Sequence, residues 1–465
     1  MEKAKLKKLF NNKIFGNIII FIAIIIFIYL AGSIYFASHF FFNTVINGVD
    51  VSLKAKGKVL ELIKKQNEAY ELELVERNNE IERISGREVG LKMNEISSVS
   101  EVVRSQNGFM WLKSISVPHI YYLESLFAYD EELMKNKINS LKCLNNIIIE
   151  PVDVGFEYSK GKYTPKREVY GNKINKDKLI ETIKTYILKG QKKLDLNENR
   201  CYENPRFTID SEKTTETLKL LNKYVSAKIT YVFGEEKEFI DGNTINQWLK
   251  VDENLDVIID RAAVKKYVQA LGEKYDTVGK TRNFETSLGK IVQVKGGSYG
   301  WKIDTNAESK ALMENIKLGE IFEKEPLYLQ KAFSRDGDEI GNTYVEINIT
   351  RQRLWFYKDG RLIVQGAVVT GNPYKGNATK VGVFMLNYKQ KDTILRGADY
   401  EAEVTYWMPF YGNMGIHDAS WRHVFGGEIY KRNGTHGCVN VPLYIAKKIF
   451  DNIEDGTPII SYEEE

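Results

Sequence analysis

Three of the chain's five histidines, His417, His423 and His436, fall within twenty residues, and Cys438, one of only three cysteines, stands beside the last of them. The local order is Asn433-Gly434-Thr435-His436-Gly437-Cys438-Val439-Asn440, with Gly415-Ile416-His417-Asp418 upstream. In cysteine chemistry the nucleophile is the thiolate. A free thiol, with a pKa of about 8.5, needs a basic or electropositive neighbour to supply it at neutral pH. A histidine on a separate strand end takes the thiol proton, provided a third group orients its ring. Glycine before the cysteine lets the backbone approach a substrate carbonyl. The amides of Gly437 and Cys438 then point at the developing oxyanion. These residues predict nucleophilic acyl transfer and a thiol that iodoacetamide alkylates faster than an unfolded peptide thiol. Zinc held by His417, His436 and Cys438 would lack a fourth ligand from any second spaced pair, so no metal is expected. An inert cysteine belongs in an apolar run, not in His-Gly-Cys. His423 has no comparable surroundings and reads as a surface residue.

Such a constellation needs strand ends brought side by side. From Tyr344 the sequence alternates apolar and polar residues through Thr350, and Arg353-Leu-Trp-Phe-Tyr357 follows. Lys358-Asp359-Gly360 then turns the chain into a second β-rich run over 362–370, and Asp-Gly between two such runs signals a hairpin. The density of glycine and β-formers through Phe410 predicts a mostly-β C-terminal domain.

His417, seventeen intervening residues, and then Thr435-His436-Gly437-Cys438-Val439-Asn440 resembles the signature of the YkuD-type L,D-transpeptidases. Thr370-Gly371-Asn372 and Thr379-Lys380-Val381-Gly382-Val383-Phe384 resemble two further family segments, with Lys380 where the family has proline. Asp418 stands where the family often has a small residue. The resemblance covers about residues 342–463. It implies a β-rich domain that joins peptidoglycan stem peptides through 3→3 links, without a cofactor. Carried over, Cys438 attacks the carbonyl before the terminal D-Ala of a tetrapeptide donor, D-Ala leaves, and a neighbouring stem's amine resolves the thioester. His417 is then the base, and Asp418 orients it by side chain or by backbone carbonyl. His436, Thr435 and Gly437 shape the site, and Asn440 fixes the loop. Trp407, Tyr430 and Trp421 either line the substrate cleft or pack in the core. Family members are often acylated by carbapenems. If water resolves the acyl-enzyme, the same site is an L,D-carboxypeptidase. From another class, the chain could be a wall-binding scaffold with a silent site, although such a site need keep neither Cys438 nor His417. A papain-like protease fits less well, because its histidine follows its cysteine.

The rest of the chain says where this chemistry happens. Among 465 residues, 43% are hydrophobic and 28% charged, which excludes a wholly disordered, collagen-like or disulfide-dense protein and predicts about three domains. Residues 1–13 hold Lys3, Lys5, Lys7, Lys8 and Lys13 against Glu2, which is the whole net charge of +4. The remainder is neutral overall and has no bulk electrostatic reason to hold nucleic acid. Between residues 14 and 49 there is no formally charged side chain, and 18–30 is unbroken apolar sequence. This predicts a membrane-spanning helix over 14–38, a cytoplasmic basic tail over 1–13, and all downstream residues outside the cytoplasm, facing a Gram-positive wall. The alternatives are a signal peptide cleaved near Ala31-Gly32-Ser33 and a buried core helix.

The middle of the chain carries an internal echo. Gly161-Lys162-Tyr163 precedes Tyr170-Gly-Asn-Lys-Ile-Asn175 and a helix-like stretch over 176–187. Gly289-Lys290-Ile291 precedes Tyr299-Gly-Trp-Lys-Ile-Asp304 and another over 307–318, about 129 residues later. Asn175 and Asp304 suit helix N-caps, and further helices are expected over 129–144 and 259–275. A fainter copy over 88–94 would make a third. The pattern resembles the peptidoglycan-binding modules of Gram-positive wall enzymes; the other reading is a stalk that touches no ligand. The expected architecture is therefore α+β and multidomain. Its parts are an extracytoplasmic α+β region over 39–122, modules over 123–245 and 246–341, and a mostly-β catalytic domain over 342–465. The implied partners are the donor tetrapeptide, the acceptor amine and the membrane. Oligomeric state and any pairing of Cys143 with Cys201 stay open.

Overall fold

An uncharged stretch of this length satisfies its backbone groups most simply as a helix, and α1 runs Lys13–Tyr35 with nearly every side chain from residue 15 to 31 outside any protein core. The computed structural model describes residues 13–94, 97–397 and 401–464; Lys3, Lys5, Lys7 and Lys8 lie outside the described residues. The chain divides into two units, residues 1–155 with 165–214, and 156–164 with 215–465.

In the first unit, α2 (Lys56–Glu68) leads into a hairpin of β1 (Glu71–Val75) and β2 (Ile81–Ser85). Far along the chain, α3 (Lys176–Leu188) leads into β3 (Lys193–Asp195), which joins β1 in parallel and gives the order β3-β1-β2. The Asn175 side chain accepts from the Lys178 amide at 3.0 Å and starts α3. One face of α3 then buries Leu179, Ile183 and Ile187 against Leu72, Leu74 and Ile84. The helix expected over 129–144 is two, Glu131–Asn139 and Lys142–Asn145. The Glu82 carboxylate accepts from the amides of both Lys142 and Cys143 at 2.8 Å, so a new helix starts there in place of a continued old one. Cys143 and Cys201 are free thiols.

The second unit repeats the plan. Helix α4 (Glu212–Val225) precedes a hairpin of β4 (Lys228–Phe233) and β5 (Glu236–Ile240). After α5 (Arg261–Tyr275), α6 (Thr305–Leu318) feeds β6 (Ile321–Lys324), which joins β4 in parallel, in the order β5-β4-β6. Asp304 caps α6 by accepting from Asn306 and Ala307 amides at 3.1 and 2.9 Å. The sequence echo is thus a repeated helix-to-parallel-strand step that closes each three-stranded sheet. Among the described residues there are two such modules.

The rest of this unit is mostly β. A five-stranded sheet is built from β7 (Tyr344–Asn348), β8 (Arg353–Lys358), β9 (Arg361–Ala367), β10 (Gly382–Met385) and, late in the chain, a strand over Pro458–Tyr462. Asp359 and Gly360 turn β8 into β9 with φ of 49° and 74°, the left-handed pair a tight hairpin requires. A four-stranded sheet has the order β11 (Gln390–Arg396), β12 (Glu401–Tyr411), β13 (Met414–Asp418), β14 (Val439–Val441). Helix α7 (Leu443–Phe450) contributes Ile445, Ala446 and Ile449 to the core that joins the two sheets through Ile347, Phe356, Met408, Phe410 and Val439. Phe284, Val294, Tyr299 and Trp301 of the preceding module share a second core with Val383, Ile460 and Tyr462.

Candidate active site

Strand β14 lies parallel to β13 with His417 opposite Asn440. Side chains alternate along a strand, so Cys438, two residues before Asn440, points to the face that His417 shares. Cys438 and His417, twenty-one residues apart in sequence, are brought to one cleft. Both line a cleft of about 520 Å³, together with Trp421, Arg422, Gly434, Thr435, His436 and Asn440.

His417 is buried, and its Nδ1 lies 2.8 Å from the backbone oxygen of Asp418. A carbonyl only accepts, so Nδ1 carries the ring proton and Nε2 keeps a lone pair for a substrate or thiol proton. Of the two ways Asp418 could orient the ring, the geometry therefore uses the carbonyl. The carboxylate is engaged elsewhere: it accepts from the amides of Tyr406 at 2.7 Å and Thr405 at 3.2 Å. Burial pulls His417 below the usual histidine range, outweighing the Asp418 contact that raises it.

Cys438 is buried with Val404 and Trp407. Its thiol donates towards the Asn413 carbonyl at 3.5 Å. Burial pushes the thiol up to about 11, against a smaller lowering by the Gly415 amide. The apolar cluster around sulfur disfavours the thiolate more than one amide favours it. Burial thus favours the neutral form of both the thiol and the imidazole. Two consequences follow for pH. Iodoacetamide should alkylate Cys438 more slowly at pH 7 than an unfolded peptide thiol, with the rate rising roughly tenfold per pH unit up to pH ~10. A rate plateau from about pH 6 upwards would show a resting ion pair instead.

The loop before the cysteine is braced from within. The Thr435 hydroxyl donates to the Cys438 carbonyl at 2.6 Å and accepts from the Gly437 amide at 3.0 Å. The Gly437 amide is therefore engaged, and an oxyanion role for it would require that bond to be exchanged. From the other side, the Thr379 hydroxyl donates to the Gly437 carbonyl at 2.8 Å and accepts from the Gly371 amide at 2.9 Å. The segments around Thr370 and Thr379 thus hold the loop that carries Cys438. Gly437 sits at φ 119°, and a Cβ there would lie 2.7 Å from the Met414 Cε. Gly437→Ala should destabilise the loop by about 1–3 kcal/mol and lower activity together with it. A thermal midpoint and turnover both equal to those of the wild type would contradict this.

The other expected residues separate. His436 is exposed at the cleft, and Asn440 is buried, its amide and carbonyl both paired with Val369. The Asn440 Oδ1 is buried without a hydrogen-bond partner among the described residues. Trp421 is exposed on the cleft, 6.0 Å from the His417 ring. Trp407 is buried behind the site, 5.8 Å from the same ring, and Tyr430 packs on the intersheet core. His423 is exposed. Arg422 was not singled out by sequence, yet it lines the cleft, is half-buried, and has a buried Nε without a partner among the described residues. Its only sequence signal is a cation five residues after His417. Among the described residues, no group of three or more His, Cys, Asp or Glu side chains is placed to hold a metal ion.

Comparison with known proteins agrees with this architecture. Residues 342–460 match the model of the YkuD family, an L,D-transpeptidase catalytic domain. Residues 82–195 and 206–321 each match that of a peptidoglycan-binding domain. No curated protein matches. A crystal structure of a cysteine-to-serine mutant of the Enterococcus faecium L,D-transpeptidase is 34% identical, covering 53% of this chain and 100% of that one, with a TM-score of 0.43. An NMR structure of the catalytic domain of the E. faecium enzyme acylated by ertapenem is 37% identical, covering 26% of this chain and 97% of that one, at 0.25. The chain belongs to the YkuD-type L,D-transpeptidases, with two peptidoglycan-binding modules ahead of the catalytic domain. Both domain types direct it to peptidoglycan, outside the cytoplasm.

Proposed function

We propose that this chain is a membrane-anchored L,D-transpeptidase that forms 3→3 peptidoglycan cross-links through a thioester on Cys438. The observation that carries the reading is the placement of Cys438 and His417 on one sheet face in one open cleft, with the Nε2 lone pair left free. As the donor carbonyl meets sulfur, the thiol proton passes to Nε2, a tetrahedral oxyanion forms, and D-Ala leaves with a proton from the imidazolium. The acceptor amine then attacks the thioester and gives its proton to His417, and Cys438 is released as thiol. Arg422 offers a guanidinium to the donor's terminal carboxylate, a pairing that suits its bidentate geometry.

The anchor is α1. A cleaved signal peptide fits poorly with how its outer end packs. Gly32 is so close to the Trp111 ring that a Cβ would lie 2.6 Å away, and the Tyr29 hydroxyl donates to the Phe109 carbonyl at 2.7 Å. Those contacts make residues 29–36 part of the folded first unit.

The test is incubation of the full-length protein in vesicles with purified disaccharide-tetrapeptide, with products read by mass spectrometry. The expected product is a cross-linked dimer lacking one D-Ala. Tripeptide alone would make it a carboxypeptidase. No Cys438-dependent product would overturn the enzymatic reading.

A further inference from the structure

Residues 108–120 pack against the outer end of α1 and leave an apolar surface that no core covers. The segment is a short 3-10 turn, Gly108–Met110, running into the helix Trp111–Ser114. Its inner side is fixed. The Trp111 indole donates to the Tyr29 carbonyl at 3.2 Å and stacks on Phe36 at 5.8 Å. Gly108 lies against the Ser33 carbonyl, and the Asn43 side chain donates to the carbonyls of Ser114 and Ile115 at 3.2 and 2.9 Å. Its outer side presents Phe109, Leu112 and Ile115 at 58%, 52% and 50% exposure, with Met110, Val117 and Ile120 beside them. Between residues 107 and 123 the only formally charged side chain is Lys113, in a chain that is 28% charged.

Depth decides what covers this surface. Phe15 to Tyr35 is the apolar span, about 30 Å at 1.5 Å per residue, which matches a bilayer's hydrocarbon core of about 30 Å. Ser33 and Tyr29, which hold the segment, stand about 27 and 21 Å along it, the first close to the outer edge of that core and the second about 9 Å inside it. The Phe109 ring lies 6.3 Å from that of Tyr29, and Leu30, Ile34 and Tyr35 at the same end of α1 are exposed apolar side chains as well. Tyr29, Tyr35 and Trp111 at this end are of the residue types enriched at membrane interfaces.

We propose that residues 108–120 are a second membrane contact, an interfacial collar that enters the boundary between acyl chains and headgroups beside α1. The inference rests on α1 spanning the bilayer. A helix alone leaves the domain above it free to swivel and tilt; the collar, bound to lipid on one side and to residues 29–36 on the other, sets the orientation of the first unit on the membrane. Its occupant is lipid and not another protein, because the segment is held on Tyr29 and Ser33, inside the apolar span that lipid must cover.

The experiment uses the full-length protein in phospholipid vesicles that contain a phosphatidylcholine with a diazirine on its acyl chain. After irradiation and proteolysis, adducts are mapped by mass spectrometry. The collar should carry adducts on residues 109–115 at a yield within about threefold of that on Ile34, and at least about tenfold above that on Ile147, which is 89% exposed in the same unit. Leu112→Asp with Ile115→Asp, both on exposed side chains, should lower collar labelling about tenfold and leave α1 labelling unchanged. Labelling of α1 with the collar no higher than Ile147 would overturn the collar and leave the anchor standing. Absence of adducts from α1 as well would overturn the anchor and the collar with it.

Discussion

Cys438→Ala is expected to abolish turnover while leaving the protein folded. The substitution removes one sulfur from a small cluster with Val404 and Trp407, and the loop around it stays tied. Thr435 holds the Cys438 carbonyl and the Gly437 amide, and Thr379 holds the Gly437 carbonyl; these bonds involve no cysteine side chain. What is lost is the one cysteine sulfur among the described residues lining the cleft, the atom proposed to carry the thioester. Removing the nucleophile of an acyl-transfer site costs at least ~10⁴-fold in rate, because what remains is binding and electrostatics without a covalent path. The measurement is release of D-Ala from the tetrapeptide, paired with intact mass after incubation with a carbapenem. The wild-type protein should gain one equivalent of the carbapenem, and the variant none. D-Ala release by the variant within tenfold of wild type would place the nucleophile elsewhere.

What the sequence could show was the chemistry, and what it could not show was set by distant packing. Cys438 and His417 were legible because both residue types are scarce here and stand in a recognisable motif. Which atom of Asp418 meets the ring was not legible: the answer depends on β12, whose Thr405 and Tyr406 amides draw the carboxylate away. The state of the thiol was hidden for the same reason, since Val404 and Trp407 reach it from that strand. Arg422 went unnoticed because a lone cation normally marks a solvated surface; only the fold shows its Nε buried at the cleft. The two modules were visible through the 176–187 and 307–318 helices with their Asn175 and Asp304 caps. Their sheets were not, because β3 and β6 pair in parallel with strands about a hundred residues earlier, and no local pattern records such a partner.

His417→Ala is expected to lower kcat/KM by about 10²–10⁴-fold at pH 7, the usual share of a positioned general base. The size follows from the resting state of the pair. With the thiol pushed up to about 11, the thiolate fraction at pH 7 is about 10⁻⁴, so attack depends on proton transfer to Nε2 as the bond forms. His417 must be neutral to accept that proton. Its pKa lies below the usual 6.5, so wild-type activity holds level down through pH 6.5 and falls only as pH drops through the lowered value. The variant has no such limb. Its acylation by a carbapenem, followed in a single turnover, should instead rise about tenfold per pH unit as solvent hydroxide ionises the thiol. The gap between the two proteins therefore narrows towards the thiol's own pKa. The second half-reaction does not share this rescue, because the acceptor amine still needs a partner for its proton after the thiol has gone. Transpeptidation by His417→Ala should stay defective at pH 9 even where acylation has recovered. Equal recovery of both steps would limit His417 to thiol activation, and wild-type rates at pH 7 would remove it as the base.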